Sequence, residues 1–116
     1  MQRFIQAQET SYPTALAEVR AGYKSSHWMW YIFPQMRGLG LSENATYYGI
    51  KDLEEAKEYL NHPVLGARLR EITTAFLQLS GVSAKEVLGH TDAMKMLSCM
   101  TLFNVVTPND IFQQVI

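Results

Sequence analysis

The feature that most constrains this chain is a run of apolar residues set between two helix punctuation marks. Leu65, Leu69, Ile72, Phe76 and Leu79 recur at i, i+4, i+7, i+11 and i+14, which places them on one stripe of an α-helix. Pro63 stands where a first helical turn tolerates proline, and Gly81 stands where a helix is expected to stop. An apolar stripe of that length has to be covered, so the spacing predicts a central core helix over 63–81 with other helices packed on it.

The same reading extends in both directions. Tyr12, Leu16, Val19 and Tyr23 make a second stripe, with Ser11 as cap, Pro13 in the first turn and Gly22 at the stop. Ser42 or Glu43 to Tyr48 is expected to form a short helix ended by Gly49. Asp52, with Glu55 three positions on, resembles a capping box and opens a helix to about Asn61. Ser83 with Glu86 repeats that pattern for a short helix closed by Gly89. The last long helix is expected from near Thr91, with Ala93, Met96, Leu97, Met100 and Phe103 on its buried arc and Asp92, Lys95 and Cys99 on the other side, Ser98 adjacent. Thr107-Pro108 reads as one more helix start. No stretch pairs strict alternation with a hairpin turn, so the expected fold is all-α: a compact single-domain bundle of about five to seven irregularly packed helices.

Composition narrows the functional classes. With 116 residues, 47% hydrophobic and 18% charged, the chain can bury a real core. A formal net charge of -1 without a basic run argues against non-specific nucleic-acid binding. The single Cys99 cannot form an internal disulfide, and the start Met1-Gln2-Arg3-Phe4 lacks the apolar stretch of a signal peptide. No apolar run approaches a membrane span, so the cytoplasm is the expected location and neither membrane nor nucleic acid an expected partner. No Cys or His pair has metal-ligand spacing, so no metal and no cofactor are expected.

One segment carries more chemistry than a core needs. Lys24 to Ser42 holds both tryptophans, Trp28 and Trp30, with Tyr31 and Phe33 close by. Pro34 disfavours helical geometry at Phe33, and Gly38 and Gly40 permit backbone conformations closed to other residues, so a helix-to-loop exit is expected. Lys24, His27, Gln35 and Arg37 add two cations, an imidazole and an amide, a set suited to an anionic or heteroaromatic small molecule. Gly38-x-Gly40 follows no strand and lacks a third glycine, so it is no dinucleotide fingerprint. The same aromatics would serve as core filler, and His27 as an ordinary surface histidine. A second polar cluster, Asp92, Lys95, Ser98 and Thr101, lies on the last helix; spacing alone reads Asp92 and Lys95 as an exposed ion pair.

The run His27-Trp28-Met29-Trp30-Tyr31-Ile32-Phe33-Pro34-Gln35, then Gly38-Leu39-Gly40, Tyr59-Leu60-x-His62-Pro63-x-Leu65-Gly66-x-Arg68-Leu69, Asp92-x-x-Lys95 and Met100-Thr101-Leu102-Phe103, resembles the bacterial domain-of-unknown-function family 1810. Members of that family are sometimes mislabelled calpastatin, a label at odds with so core-rich a chain. The resemblance implies a mainly helical fold and no established activity. It also implies serine where Cys99 stands and a further helical stretch beyond Ile116, whose role here a partner chain or a rearranged end would take.

Two functions are therefore expected to compete. The first is a small-molecule site, nucleotide-like or anionic, built from Lys24, His27, Trp28, Trp30, Gln35, Arg37, Gly38 and Gly40 with Ser98 and Thr101 alongside, His27, Asp92 and Lys95 being the catalytic candidates. The second is a protein-interaction module in which the exposed aromatic segment anchors a partner or a homodimer contact.

Overall fold

The computed structural model describes residues 1–79 and 81–116. Among them the chain forms α1 (Gln2–Ala21), α2 (Met29–Ile32), α3 (Glu43–Tyr47), α4 (Leu53–Asn61), α5 (Leu65–Leu77), α6 (Ala84–Leu88) and α7 (His90–Val106), then a 3-10 turn over Ile111–Gln114. The fold is all-α; its one strand-like pairing among the described residues is an isolated parallel bridge between Met36 and Ile50.

The predicted stripe on α5 is the centre of the packing. Leu65, Leu69 and Ile72 are buried, and α5 lies against α1, α4 and the 3-10 turn. On the other side of α4, α7 packs against α4, α6 and the 3-10 turn, and touches α2. A row of rings ties these layers together: Phe4 meets Tyr59 edge-on at 5.0 Å, Tyr59 meets Phe103 at 5.5 Å, and Phe103 meets Phe112 at 5.8 Å. The α4–α5 corner is so tight that a Cβ on Gly66 would run into the carbonyl of Leu60.

Local capping explains most of the boundaries. The Ser42 hydroxyl accepts from the Ala45 amide at 3.1 Å, and the Asp52 carboxylate accepts from the Glu55 amide at 2.8 Å. Ser83 and Glu86 form the reciprocal box, and Gly89 closes α6. At α5 the cap is His62, whose Nδ1 accepts from the amides of Val64 and Leu65 at 3.1 and 3.3 Å.

Five expectations shift. Helix α1 starts at Gln2 rather than Ser11, because Phe4 and Gln8 are buried in the core and tertiary packing holds its first half. Pro13 thus sits inside α1 on an exposed face, where the proline costs the helix one backbone hydrogen bond. Tyr23, beyond the left-handed Gly22, is 67% exposed instead of extending the stripe. Helix α5 stops at Leu77, short of Gly81. On α7 the buried residues are Met96, Cys99, Met100, Leu102 and Phe103, whereas Leu97 is 43% exposed. Both arcs have helical spacing; α4 and α6 cover the face carrying Cys99 and leave Leu97 outside. Past Thr107-Pro108 the last turn begins at Ile111, capped by the Asp110 carboxylate at 2.6 Å.

Candidate functional site

The site begins with how Glu18 shapes the turn after α1. One carboxylate oxygen accepts from the Ser25 amide (2.8 Å), the Ser26 amide (3.0 Å) and the Trp28 indole N–H (3.0 Å), and the other accepts from the Ser26 hydroxyl (2.6 Å). Burial alone would raise the Glu18 carboxyl, but these hydrogen bonds outweigh it and hold the group down at about 2. The turn is tied to α6 as well, through the Lys24 amide and the Val87 carbonyl at 2.8 Å.

That turn delivers Lys24 to α7. Its ammonium lies 2.9 Å from Asp92 and 5.2 Å from the Trp28 ring centroid, with the side chain only 8% exposed. The other Asp92 oxygen faces Lys95 at 3.6 Å, and Lys95 in turn lies 5.1 Å from the Trp30 ring centroid. Two ammonium groups thus share one carboxylate, and each ammonium is stacked on a tryptophan. The cluster carries a surplus positive charge, and Lys95 is the more loosely held of the two cations.

Helix α2 and the loop after it form the opposite wall. Buried Gln8 donates to the Tyr31 carbonyl at 2.7 Å and to the Tyr59 hydroxyl at 3.0 Å, fixing α2 on α1. The bridge to Ile50 then pins the loop: the Ile50 amide donates to the Gln35 carbonyl at 2.9 Å and the Arg37 amide to the Ile50 carbonyl at 2.8 Å. Gly38 takes the left-handed conformation expected of it (φ 99). Gly40 is needed for a different reason, since a Cβ there would stand 2.7 Å from the Ala45 Cβ and push the loop off α3.

Between these walls run three hollows that share sides. The first, lined by Trp30, Phe33, Gln35, Tyr48 and Lys95, is narrow, with room for about one water molecule. Burial, reinforced by Tyr47 and Tyr31, pushes the Tyr48 phenol up, so this wall stays neutral. The second hollow shares Gln35 and Lys95 with the first and adds Gly40, Met94 and Ser98. The third shares Leu39 and Ser98 with the second and continues along α7 past Leu97, Thr101 and Val105. Lys95 is the one charged side chain lining any of the three. Ser98 and Thr101 donate their hydroxyls back to the Met94 and Leu97 carbonyls at 3.2 and 2.8 Å, so α7 offers the groove a mainly hydrocarbon wall.

Of the residues singled out from sequence, Trp30, Gln35, Gly40, Lys95, Ser98 and Thr101 line this groove. Lys24 and Asp92 line none of the three hollows but hold Lys95 in place. Trp28 is a core residue, 1% exposed. His27, Arg37 and Gly38 are exposed and line none of the hollows. The His27 carbonyl accepts a long 3.4 Å bond from the Tyr31 hydroxyl, and Arg37 donates to the Gly49 carbonyl at 3.5 Å. The aromatic segment, which the protein-interaction reading needed exposed, is turned in: Trp28 and Phe33 are buried, and Trp30 and Tyr31 half-buried, because Glu18 and Gln8 draw the turn and α2 onto α1. Sequence reasoning passed over Glu18 and Gln8, whose roles depend on partners distant along the chain, and it placed Leu97 in the core. The Ser25-Ser26 pair after the α1 stop was the available sign that an acceptor waits nearby.

A small all-α bundle with a groove bearing a single cation is the class this geometry defines. The chain belongs to the family described as "Protein of unknown function (DUF1810)", whose profile matches residues 1–116. It is similar to the crystal structure of the conserved hypothetical protein Rv1873 from Mycobacterium tuberculosis, at 48% identity and a TM-score of 0.93, over 96% of this chain and 80% of that one. No curated protein matches. No described helix is long and apolar enough to cross a membrane, and no group of three or more described His, Cys, Asp or Glu side chains is placed to hold a metal ion.

Proposed function

We propose that this chain binds a small anionic molecule, in the cytoplasm, in the groove between the Trp30–Gly40 segment and α7. The observation that carries the reading is the meeting of two clusters far apart in sequence: Lys95 lies 5.1 Å from the Trp30 ring and shares the lining of two adjoining hollows with Gln35. Lys95 supplies the charge, the Gln35 amide a directional donor or acceptor, and Trp30 a flat wall. The Lys24–Asp92 pair sets where Lys95 stands, since a shared carboxylate anchors the ammonium without cancelling both cations.

Thermal-shift screening of the purified protein against nucleotides and small organic acids tests it, repeated with Lys95→Met and Gln35→Ala. A ligand at a hundredfold its Kd stabilises by about 2.7 kcal/mol, well within the reach of a melting shift. Stabilisation of the unmutated protein alone is the expected result; equal stabilisation of Lys95→Met would remove the groove from the account.

A second reading has an observation of its own. Leu41 is 97% exposed beside Leu39 at 63%, and Val105 on α7 is 58% exposed, an aliphatic surface that a second copy of the chain would cover. Sedimentation velocity decides it: a dimer that dissociates on Leu41→Asp supports this reading, and a monomer at high concentration rejects it.

A further inference from the structure

The groove changes character along its length, and that gradient says more about its guest than the single cation does. At one end Lys95 and Gln35 stand between the narrow first hollow, walled by Trp30, and the wider second one. At the other, Leu39, Leu97, Leu102 and Val105 line a broad open trough, beside hydroxyls already committed to their own helix. A nucleotide would need polar partners along its sugar and base edges, and this trough has few to give. From Lys95 to Val105, α7 rises about 15 Å, the reach of roughly a dozen methylenes.

We infer that the ligand is a monoanionic amphiphile, a carboxylate headgroup at Lys95 with an unbranched aliphatic tail lying along α7 toward Val105. This inference rests on the reading of the groove as an anion site and specifies what that site takes. The charges favour one negative charge over two: Asp92, 3.6 Å from Lys95, leaves the cluster a single surplus cation, and no acidic side chain lines the trough to repel the guest. A tail half-covered by Leu39 on one side and α7 on the other gains about twofold in affinity per methylene, half the logarithmic gain of full burial. The guest is a single soluble molecule, because its tail lies along one helix rather than across a flat face.

The test uses the whole chain with butyrate, hexanoate, octanoate, decanoate and dodecanoate below their aggregation limits, read by tryptophan fluorescence. Trp30 lines the groove, whereas Trp28 is buried and lines none of its hollows, so binding should move one emission component and not the other. Affinity is expected to rise about twofold per added methylene. Octanol should bind about tenfold more weakly than octanoate, and Lys95→Met should erase that difference. Val105→Asp, at an exposed position that tolerates polarity, should remove the gain in affinity from decanoate to dodecanoate. Equal affinity across the series, with Lys95 still required, would overturn the tail subsite and leave the anion site standing. Length dependence indifferent to both substitutions would mean detergent-like adsorption and overturn the inference. So would co-sedimentation with phosphatidylglycerol vesicles that octanoate does not compete away. Failure of every carboxylate, while another anion binds through Lys95, would reject the ligand class alone; failure of every anion would reject the site with it.

Discussion

Glutamine in place of Glu18 would keep the shape of the turn and remove only its charge. The glutamine carbonyl can still accept from Ser25, Ser26 and the Trp28 indole, and its amide can face the Ser26 hydroxyl, which rotates to accept. What disappears is the preference of those donors for a carboxylate. A carboxyl moved from 4.5 to about 2 would correspond in full to about 3 kcal/mol. Water reaches this group, and screening cuts the figure to roughly half, about 1–2 kcal/mol. The folded-state carboxyl titrates below its unfolded counterpart, so its contribution is complete above about pH 4.5 and is lost as the pH falls toward 2. Urea denaturation of both proteins from neutral to acid pH reads the difference. The expected gap is about 1–2 kcal/mol at neutral pH, closing as the pH approaches 2. A gap that stays constant through this window, or none at neutrality, would refute the role given to the carboxylate.

Other expectations are more local. Gly66→Ala forces a methyl into the Leu60 carbonyl and should cost about 2–3 kcal/mol in urea denaturation with little change in slope; a loss under about 0.5 kcal/mol would mean the α4–α5 corner yields easily. Cys99 is fully buried and burial pushes its thiol up, so a thiol reagent should leave the native protein untouched and react only once denaturant opens the core. Tyr12→Phe removes a 2.5 Å bond from the phenol to Glu71 and should cost about 1–1.5 kcal/mol in thermal or urea unfolding. Lys24→Met leaves Lys95 as the one ammonium on Asp92, so ligand affinity at the groove should fall about fivefold by titration; unchanged affinity would show that Lys24 serves the fold alone.

Where chemistry is local, the sequence was legible. Ser42, Asp52 and Ser83 cap the helices they precede because a cap is a bond within four residues, and Leu65, Leu69 and Ile72 of the α5 stripe are buried because helical spacing and burial coincide there, whereas Phe76 and Leu79 are half-buried. Where two arcs share that spacing, as on α7, sequence could not choose: only the positions of α4 and α6 decide that Cys99 goes in and Leu97 stays out. The meeting of the Trp30 segment with Lys95 was an expectation from residue types, and the coordinates supply its geometry through Glu18, Gln8 and the Met36–Ile50 bridge. His27 and Arg37 illustrate the limit: a chemically able side chain beside a site can still point to solvent.

The most direct test of the groove is an amide and indole chemical-shift map recorded while titrating octanoate into isotope-labelled protein. The proposal predicts shifts concentrated at the Trp30 indole, Gln35, Gly40, Lys95, Ser98 and Thr101, with the Trp28 indole, bound to Glu18, and His27 unmoved. Shifts gathered around His27 and Arg37, or spread evenly over the surface, would contradict it.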